Sequence, residues 1–501
     1  MCGRTRAPIA ALLPVCAGHR AVRRLAAVTD GISRDDLETL HRVLGQAADL
    51  PLDHPDSVEV QRAVGHMFKK AKRTRRKEKK QAQAEADRAV LESTATGSAG
   101  RIDDETAGLP LQGGPGDTVG TLVKPQSCYI CKQPYTEIDS FHHQLCPDCA
   151  ADNRNRRDQH VDLTGRRALL TGGRAKIGMY IALMLLRDGA ELTITTRFPK
   201  DAARRFAALD DSAQWLHRLR IVGIDLRDPA QVVALADDVA AQGPLDILIN
   251  NAAQTVRRSP GAYSALADAE SAALRGAASE VPMLMLGDAS ELHPYALAGG
   301  NSSESAAQSL VALAMTAGSA TPQRISDGVA IDAGGLLPDL VDTNSWVQTV
   351  DQVDPLELLE VQLCNSVAPF ILVSRLRPSL RAADARRKYV VNVSAMEGIF
   401  SRGYKGAGHP HTNMAKAALN MLTRTSAGDM FDEGILMTAV DTGWITDERP
   451  HTSKIRLAAE GFRAPLDLVD GAARVYDPIV QGENGIDLYG CFLKDFKPYP
   501  W

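Results

Sequence analysis

Short apolar runs separated by longer mixed segments are the main pattern of the chain after residue 160. Four of these runs lie at 168–170, 191–196, 221–226 and 246–253, and segments of helical character follow them. Apolar runs of this length between turn residues are typical of buried strands, and strands that alternate with helices favour a parallel sheet. The pattern predicts an α/β fold with a doubly wound parallel sheet over residues 160–501.

A glycine-rich turn joins the first run to an apolar helical pattern. The turn reads TGGRAKIG at 171–178, and apolar residues continue from 179 to 186. Such a turn lets backbone N–H groups and a helix N-terminus approach a pyrophosphate. The residues expected to contact a dinucleotide here are Thr171, Gly172, Gly173, Lys176, Ile177 and Gly178.

The first hundred residues have a different character. Ser33 can cap a helix with apolar residues at helical spacing, and a second helical pattern runs from 58 to 68 into a basic block at 69–80. The block is either a solvated charged helix or a nucleic-acid patch or nuclear signal. It contains no aromatic residue, so base stacking is not indicated. We predict a helical, basic, partly disordered region at 1–100 and a linker at 101–124.

A stretch rich in Ala, Ser and Gly, at about 258–342, interrupts the C-terminal domain. It contains a short apolar run at 309–315. Long segments of this composition bury too little apolar surface to form a core of their own. We therefore predict an insertion with some helix and much flexible chain.

Length and composition indicate a multidomain globular protein. The chain has 501 residues, 44% of them hydrophobic, and a net charge of −4. No apolar run reaches about 18 residues, so we expect no membrane span. Residues 1–29 carry five arginines and no acidic residue, which is typical of an organelle transit peptide or of a disordered start. We predict a cytoplasmic protein, with import into an organelle as the alternative.

Four of the eight cysteines form two CxxC pairs with fourteen residues between them. Each pair places two thiolates on one tight knuckle, and two knuckles complete a tetrahedral sulfur cage for zinc. Four protein ligands leave no open position, so the predicted zinc is structural, and the alternative is a redox pair. The predicted ligands of this module, at 125–155, are Cys128, Cys131, Cys146 and Cys149. His142 or His143 could replace a cysteine, or line the loop. Such a module could also dock a protein partner.

Several later segments resemble those that follow the glycine turn in one known family. They read DL at 225–226, LINNAA at 248–253, VNVS at 391–394 and KAAL at 416–419. Together with the turn they resemble the short-chain dehydrogenase/reductase family over about 162–260 and 343–495. The resemblance implies a Rossmann fold and a nicotinamide dinucleotide and, by analogy alone, a homo-oligomer.

The end of the second strand bears on the choice of cofactor. An acid there would bind the ribose 2′-hydroxyl of NAD, whereas this chain has Thr196 followed by Arg197. Because an arginine suits the 2′-phosphate, we predict NADP(H), with NAD as the alternative. Lys176 stands where the family has its middle glycine, so its ammonium either contacts a phosphate or crowds the cofactor.

The resemblance implies further cofactor contacts. Asp225 would hydrogen-bond the adenine amine, Asn250 would tie the central strands together and border the ribose, and Thr446 would contact the carboxamide or the phosphates. Asn251 and Ala252 belong to the segment that matches the family's NNAG.

The family's catalytic set consists of asparagine, serine, tyrosine and lysine. The tyrosine moves a proton to or from the substrate oxygen, while the lysine lowers the tyrosine pKa and binds the nicotinamide ribose. Asn365 and Lys416 match this set. Ser394 lies one residue before the usual register, which is occupied by Ala395. The tyrosine position holds Thr412, whose hydroxyl pKa is far too high for the work of a phenol.

Two replacements for the missing phenol are open. Tyr404 lies in a glycine-rich loop that could fold over the nicotinamide, and His409 or His411 could supply an imidazole. Loss of the usual proton transfer is the third reading. The predicted catalytic residues are Asn365, Ser394, Tyr404 and Lys416.

These patterns predict an NADP(H)-dependent oxidoreductase acting on a carbonyl or alcohol. The alternative is a catalytically impaired NADP(H)-binding sensor or scaffold with a zinc docking module. The predicted partner is a small-molecule substrate.

Overall fold

The computed structural model describes residues 31–98, 101, 111, 117–258, 260–286, 336, 339, 341–446 and 448–501. The predictions for residues 1–29 and for a helix at 309–315 lie outside these residues. Contacts divide the chain into two units, Met1–Gln83 and Ala84–Trp501.

The first unit contains α1, Arg34–Asp49, and the part of α2, Pro55–Glu92, up to residue 83. Ser33 Oγ caps α1 by accepting a hydrogen bond from the Asp36 backbone N–H at 3.1 Å. Ser57 Oγ donates to Ala47 O at 3.3 Å and joins the two helices. Every residue of the basic block at 69–80 is exposed on α2.

The second unit begins with the end of α2 and continues into the cysteine module, which is the segment from residue 117 to residue 157. It consists of an antiparallel hairpin of β1, Thr118–Ser127, and β2, Pro134–Asp139, followed by α3, Pro147–Arg157. The strand β1 begins inside the stretch predicted as linker. The core of the module includes Leu122, Cys128 and Leu145, and it continues into Ile445 and Leu466. The module therefore shares its core with the large domain.

A nine-stranded sheet forms the centre of that domain. Its strands are β3 Arg167–Leu170, β4 Glu191–Thr196, β5 Leu219–Gly223, β6 Ile247–Asn250, β7 Met283–Met285, β8 Lys388–Ser394, β9 Ile435–Asp441, β10 Phe492–Lys494 and β11 Lys497–Tyr499. Their order is β11-β10-β9-β8-β6-β3-β4-β5-β7. All neighbouring pairs are parallel except β10 with β11. The predicted doubly wound parallel sheet is confirmed.

Helices cover both faces of the sheet. One face packs against α4 Lys176–Arg187, α5 Pro199–Ala207 and α12 Leu468–Glu483. The other packs against α6 Pro229–Ala241, α9 Ala368–Arg381 and α10 Pro410–Phe431. Two apolar cores result, one on each side of the strands.

One long helix changes its winding along its length. It begins as α8, Pro355–Gln362, passes through a π-helical turn at Leu363–Val367, and continues as α9. By length and composition alone, Pro355–Arg381 could cross a membrane, and half of its apolar window is buried. Leu372, Leu376 and Leu380 of this helix lie in the core beside the sheet, as in the core helix of a globular domain.

The segment predicted as an insertion contributes to the sheet. Its helix α7, Ser264–Ser271, precedes β7, which pairs in parallel with β5 through Ile221 and Met283. We predicted helix and flexible chain here. The three-residue strand lacks the length and alternation that identify a strand in sequence, and its pairing with β5 is a long-range contact. The remaining described helix is α11, His451–Ala459.

Candidate cofactor and active site

A cavity of about 380 Å³ lies at the carboxyl ends of the central strands. Most of its lining comes from residues of four segments, 172–178, 195–198, 224–227 and 251–256. Ligands of open α/β sheets bind at this edge, where the strand order reverses direction. Here the reversal falls between β3 and β6. The cavity therefore occupies the position expected of a dinucleotide site.

Two glycines of the turn leave no room for a side chain. A Cβ at Gly178 would lie 2.0 Å from Gly172 O, and one at Gly172 would lie 3.0 Å from the Ala252 Cα. Gly172 also has a φ of +70°, in the left-handed region. The close approach of the turn, α4 and the chain after β6 depends on these missing Cβ atoms.

Lys176 has a left-handed backbone although it is not glycine. Its φ is +53°, and it is the first residue of α4. It occupies the position of the family's middle glycine, so the turn keeps a conformation that glycine adopts without cost. For other residues a left-handed backbone costs about 1–2 kcal/mol. Lys176 also lines the cavity, which places a charged residue at the predicted phosphate position.

The chain after β6 is bound directly to the glycine turn. Thr171 Oγ1 accepts hydrogen bonds from the backbone N–H groups of Asn251 and Ala252, both at 3.0 Å. Asn251 Nδ2 donates to Thr171 O at 3.0 Å and to Gly172 O at 3.1 Å. Asn250 Nδ2 donates to Asn392 Oδ1 at 2.8 Å, between β6 and β8. The predicted cofactor residues of β6 thus hold three strands in register.

The end of β4 brings basic and aromatic side chains to the cavity. Arg197 Nη2 donates to Tyr263 Oη at 3.2 Å, and its guanidinium lies 4.8 Å from the centre of that ring. Arg174 lies 5.3 Å from the Phe198 ring centre and pairs with Asp201 at 2.5 Å. Sequence reasoning missed Tyr263, because it lies in the insertion and no local pattern connects it to β4.

Asp225 already has a strong partner. Arg227 donates to its carboxylate from Nε and from Nη2, the latter at 2.6 Å. Arg227 Nη1 also donates to the buried Glu360 at 2.8 Å. A contact between Asp225 and an adenine amine would have to share the carboxylate with Arg227. Sequence analysis missed Arg227, whose only signal was its spacing of two residues from Asp225.

Asn365 lies in the π-helical turn and is buried. Its Oδ1 accepts from Gln254 N at 2.7 Å, and its Nδ2 donates to Gln254 O at 2.8 Å. Both ends of the amide are therefore used to fix the loop after β6. Such π turns occur often at functional sites because they redirect a side chain without ending the helix.

Ser394 and Lys416 are both buried, and each hydrogen-bonds a residue close in sequence to the other. Ser394 Oγ donates to Asn420 Oδ1 at 2.6 Å, and Lys416 Nζ donates to Val393 O at 2.8 Å. Burial lowers the pKa of Lys416 to about 8, so the side chain is mostly charged at pH 7 and loses its proton as the pH rises through 8. Among the described residues that line the cavity, the catalytic segment contributes Cys364 but not Asn365, Ser394 or Lys416.

The structure does not bring Tyr404 to Lys416. Its side chain is 79% exposed, and no described hydrogen bond joins it to the lysine. His409 is held elsewhere, because its ring stacks on Trp346 at 4.1 Å and its Nδ1 lies 2.8 Å from Trp346 O. His411 and Thr412 are buried, and neither the ring nitrogens nor the hydroxyl has a hydrogen-bond partner in the described chain.

The segment after β9 reaches the cavity through Glu448. Thr446 Oγ1, predicted to contact the cofactor, donates to Glu448 Oε1 at 3.4 Å. Asn344 Nδ2 donates to Glu448 O at 2.8 Å, and Arg258 lies 3.9 Å from its carboxylate. The wall on this side is therefore built by a segment far from the glycine turn in sequence.

The four predicted metal ligands converge in the cysteine module. The sulfur atoms of Cys128, Cys131, Cys146 and Cys149 all lie within 4.8 Å of one another. The Cys131 and Cys146 sulfurs are 3.7 Å apart, close to the spacing of about 3.8 Å that tetrahedral zinc with 2.3 Å bonds requires. All four are free thiols. The donor set fits zinc.

The neighbouring histidines make other contacts. His142 Nε2 lies 3.1 Å from an oxygen of Asp470, and His143 Nδ1 lies 2.7 Å from Thr96 Oγ1. Burial lowers the pKa of His143 to about 3, which keeps it neutral. Neither histidine belongs to the described sulfur group.

Comparison with known proteins agrees with the architecture. Residues 166–272 match the family model described as short chain dehydrogenase. An uncharacterized protein of Acanthamoeba polyphaga mimivirus is 29% identical over 371 residues, which cover 72% of each chain. A probable oxidoreductase of Streptomyces antibioticus is 42% identical over 92 residues, 18% of this chain and 30% of that protein.

Two solved structures of low sequence identity are among those similar to this chain. The NADPH-bound carbonyl reductase from chicken fatty liver is 19% identical with a TM-score of 0.41, covering 68% of this chain and 100% of that one. A short chain dehydrogenase from Burkholderia cenocepacia J2315 in complex with NADP is 20% identical with a TM-score of 0.41, covering 66% and 97%.

The left-handed backbone of Lys176 gives a first prediction. We expect Lys176→Gly to raise the free energy of unfolding by about 0.5–1 kcal/mol, because relief of the strain exceeds the extra entropy of glycine in the unfolded chain. Urea unfolding measures the change. Lys176→Ala is the matched control, since it removes the ammonium but keeps the strain. Equal stability of the glycine and alanine variants would contradict the expectation.

Proposed function

We propose that the chain is an oxidoreductase of the short-chain dehydrogenase/reductase family that uses NADP(H) on a carbonyl or alcohol substrate, since residues 166–272 match that family's model. The observation that carries the proposal is the cavity at the strand ends, which is bordered by the glycine turn and by four arginines, Arg174, Arg197, Arg227 and Arg258. The match to the family model supports the reaction class. The site residues support the choice of cofactor.

The preference for NADP(H) rests on the charges around the end of β4. Arg174 and Arg197 both line the cavity, and the position that would hold an acid in an NAD site is Thr196. A guanidinium can bind a phosphate through two parallel hydrogen bonds. Tyr263 and Phe198 pack beside these guanidinium groups and limit their rotamers. In this proposal Arg197 would bind the 2′-phosphate.

The proposed chemistry assigns separate tasks to the catalytic segment. When bound, the cofactor supplies or accepts a hydride at its nicotinamide ring. Lys416 would bind the adjacent ribose, which requires its ammonium to turn from Val393 O. Asn365 would hold the loop at Gln254 in place. Ser394 would polarise the substrate oxygen by turning its hydroxyl from Asn420.

The proton requires a donor other than Thr412. We assign this task to Tyr404, because a phenol is far more acidic than an aliphatic hydroxyl. Its exposed position means that the loop at 400–407 would have to fold toward Lys416 for the reaction. A second candidate function, an NADP(H)-binding sensor or scaffold without turnover, is favoured by this same exposure and by the unpartnered Thr412.

The arginine at the end of β4 should set cofactor preference. We expect Arg197→Gln to weaken NADPH binding about tenfold, or about 1.4 kcal/mol, and to leave NADH binding unchanged, because only NADPH carries the 2′-phosphate. Titration of cofactor fluorescence measures both. Arg187→Gln, which removes a surface arginine paired with Asp211, is the control. Equal losses for both cofactors would argue against a phosphate contact.

Turnover should depend on Lys416 and Tyr404. We expect Lys416→Met to abolish NADPH oxidation by a panel of aldehydes, ketones and quinones, and Tyr404→Phe to lower kcat about 100-fold with cofactor binding retained. Absorbance at the nicotinamide band follows the reaction. His409→Gln is the control, because His409 is stacked on Trp346.

Two results would separate the candidate functions. If the wild-type protein binds NADPH but oxidises it with no substrate of the panel, the sensor or scaffold is favoured. If turnover is present and Tyr404→Phe matches the wild type, the phenol is not the donor, and His411→Gln then tests the buried imidazole.

We propose that the four cysteines hold one structural zinc ion. Metal analysis of the purified protein is expected to give about one zinc per chain, and Cys131→Ser is expected to lower this value and the melting temperature together, because metal binding contributes to folding. Cys491→Ser serves as the control, since Cys491 lies outside the sulfur group. Full zinc content in Cys131→Ser would exclude the site.

A further inference from the structure

The cysteine module packs on the segment 442–467, which we call the wall segment because its Glu448 lines the cavity. We infer that the module positions this wall, with Tyr129 as the positioning residue, so that zinc loading and NADP(H) binding are coupled. The inference rests on the proposed cofactor and zinc sites. In this inference the partner of the module is the wall segment of the same chain.

The first contact lies at the start of the wall segment. The Trp444 backbone N–H donates to Tyr129 Oη at 3.0 Å. Tyr129 follows Cys128 directly and lies between the two thiols of the first knuckle. Gly443, with a φ of +79°, turns the chain so that this N–H faces the module. A ligand knuckle and the wall segment are therefore one hydrogen bond apart.

The second contact is a shared apolar core. Ile445 and Leu466 of the wall segment are 5% and 0% exposed, and they belong to the same cluster as Cys128 and Leu145. Ile177 of the glycine turn packs against this cluster and also lines the cavity. The module thus contacts two of the segments that border the cavity, the wall segment and the glycine turn.

The third contact fixes the end of the wall segment. Arg101, just ahead of the module, donates to Ala464 O at 2.7 Å and to Leu466 O at 2.6 Å. Gln144, between the two knuckles, donates to Arg463 O at 3.3 Å. These backbone carbonyls belong to no helix or strand, so their hydrogen bonds must come from elsewhere in the fold.

The fourth contact anchors the helix that follows. Arg157 of α3 pairs with Asp467 at 2.5 Å and with Asp470 at 3.0 Å, and His142 lies 3.1 Å from Asp470. Asp467 caps α12 and both aspartates are buried. The wall segment is therefore held by the module at both ends, while Glu448 between them lines the cavity.

These contacts imply that an ordered module keeps the wall segment in one position. When zinc fixes the two knuckles, Tyr129 and Gln144 are fixed with them. Loss of zinc would free both knuckles, and the wall would lose partners at both ends. The affinity for NADP(H) should then fall although no cofactor ligand has changed.

The test removes the hydroxyl of Tyr129. We expect Tyr129→Phe to weaken NADPH binding about tenfold with zinc content unchanged, because the Trp444 N–H loses its acceptor. We also expect trypsin to cleave faster after Arg449, Lys454 and Arg456 of the wall segment. Tyr135→Phe is the matched control: its hydroxyl bonds Gln126 and His143 inside the module and does not touch the wall. Its NADPH affinity and cleavage rate should equal those of the wild type.

Removal of zinc from the wild-type protein by a chelator under reducing conditions is the second arm. It should reproduce both effects, and added zinc should reverse them. If Tyr129→Phe and the zinc-free protein bind NADPH and resist trypsin like the wild type, the coupling is disproved while the cofactor and zinc sites stand. If the wild type itself binds no NADPH or no zinc, the proposed sites fail, and the tryptic rates still decide whether Tyr129 positions the wall.

Discussion

The proposed cofactor site depends most strongly on the absence of a Cβ atom at Gly178. At Gly178 that atom would lie 2.0 Å from Gly172 O, so any larger residue would push α4 away from the turn. Because α4 begins there, its N-terminal N–H groups face the cavity, and its apolar face reaches the core between the sheet and α12. The same closeness lets Thr171 and Asn251 exchange hydrogen bonds across β3 and β6. Strand register, helix placement and cavity shape therefore share one steric cause.

Lys176 shows how far this constraint dominates local preference. A lysine has no intrinsic tendency to adopt a left-handed backbone, yet it does so here, with a φ of +53°. The contacts on either side over-determine the turn, so the residue accepts the strain. Strain of this kind persists mostly where function or packing requires the conformation, and this residue lines the cavity. Its charge at the predicted phosphate position gives a physical reason for replacing a glycine.

The sequence predicted the sheet and the motif positions well, because these depend on local patterns. The apolar runs, the glycine turn and the CxxC spacing each carry their own signal. The rest depends on contacts between distant residues. Nothing near Tyr263 indicates that it packs on Arg197, and nothing near Met283 indicates that it pairs with β5. The predicted catalytic residues remain predictions of role, because the structure buries Lys416 and leaves Tyr404 in solvent.

The cysteine module also illustrates how a small segment obtains a core. A module of this size buries too little apolar surface to fold alone, and metal binding is one source of the missing folding free energy. The structure shows a second source, because Ile445 and Leu466 of the large domain complete the apolar cluster. Because the module's core includes residues of the wall segment, the packing of each depends on the other. Ile177 lines the cavity and also packs against this cluster, so a shift of either would move its side chain. Shared burial, rather than a dedicated linker, joins the proposed metal site to the proposed cofactor site in this fold.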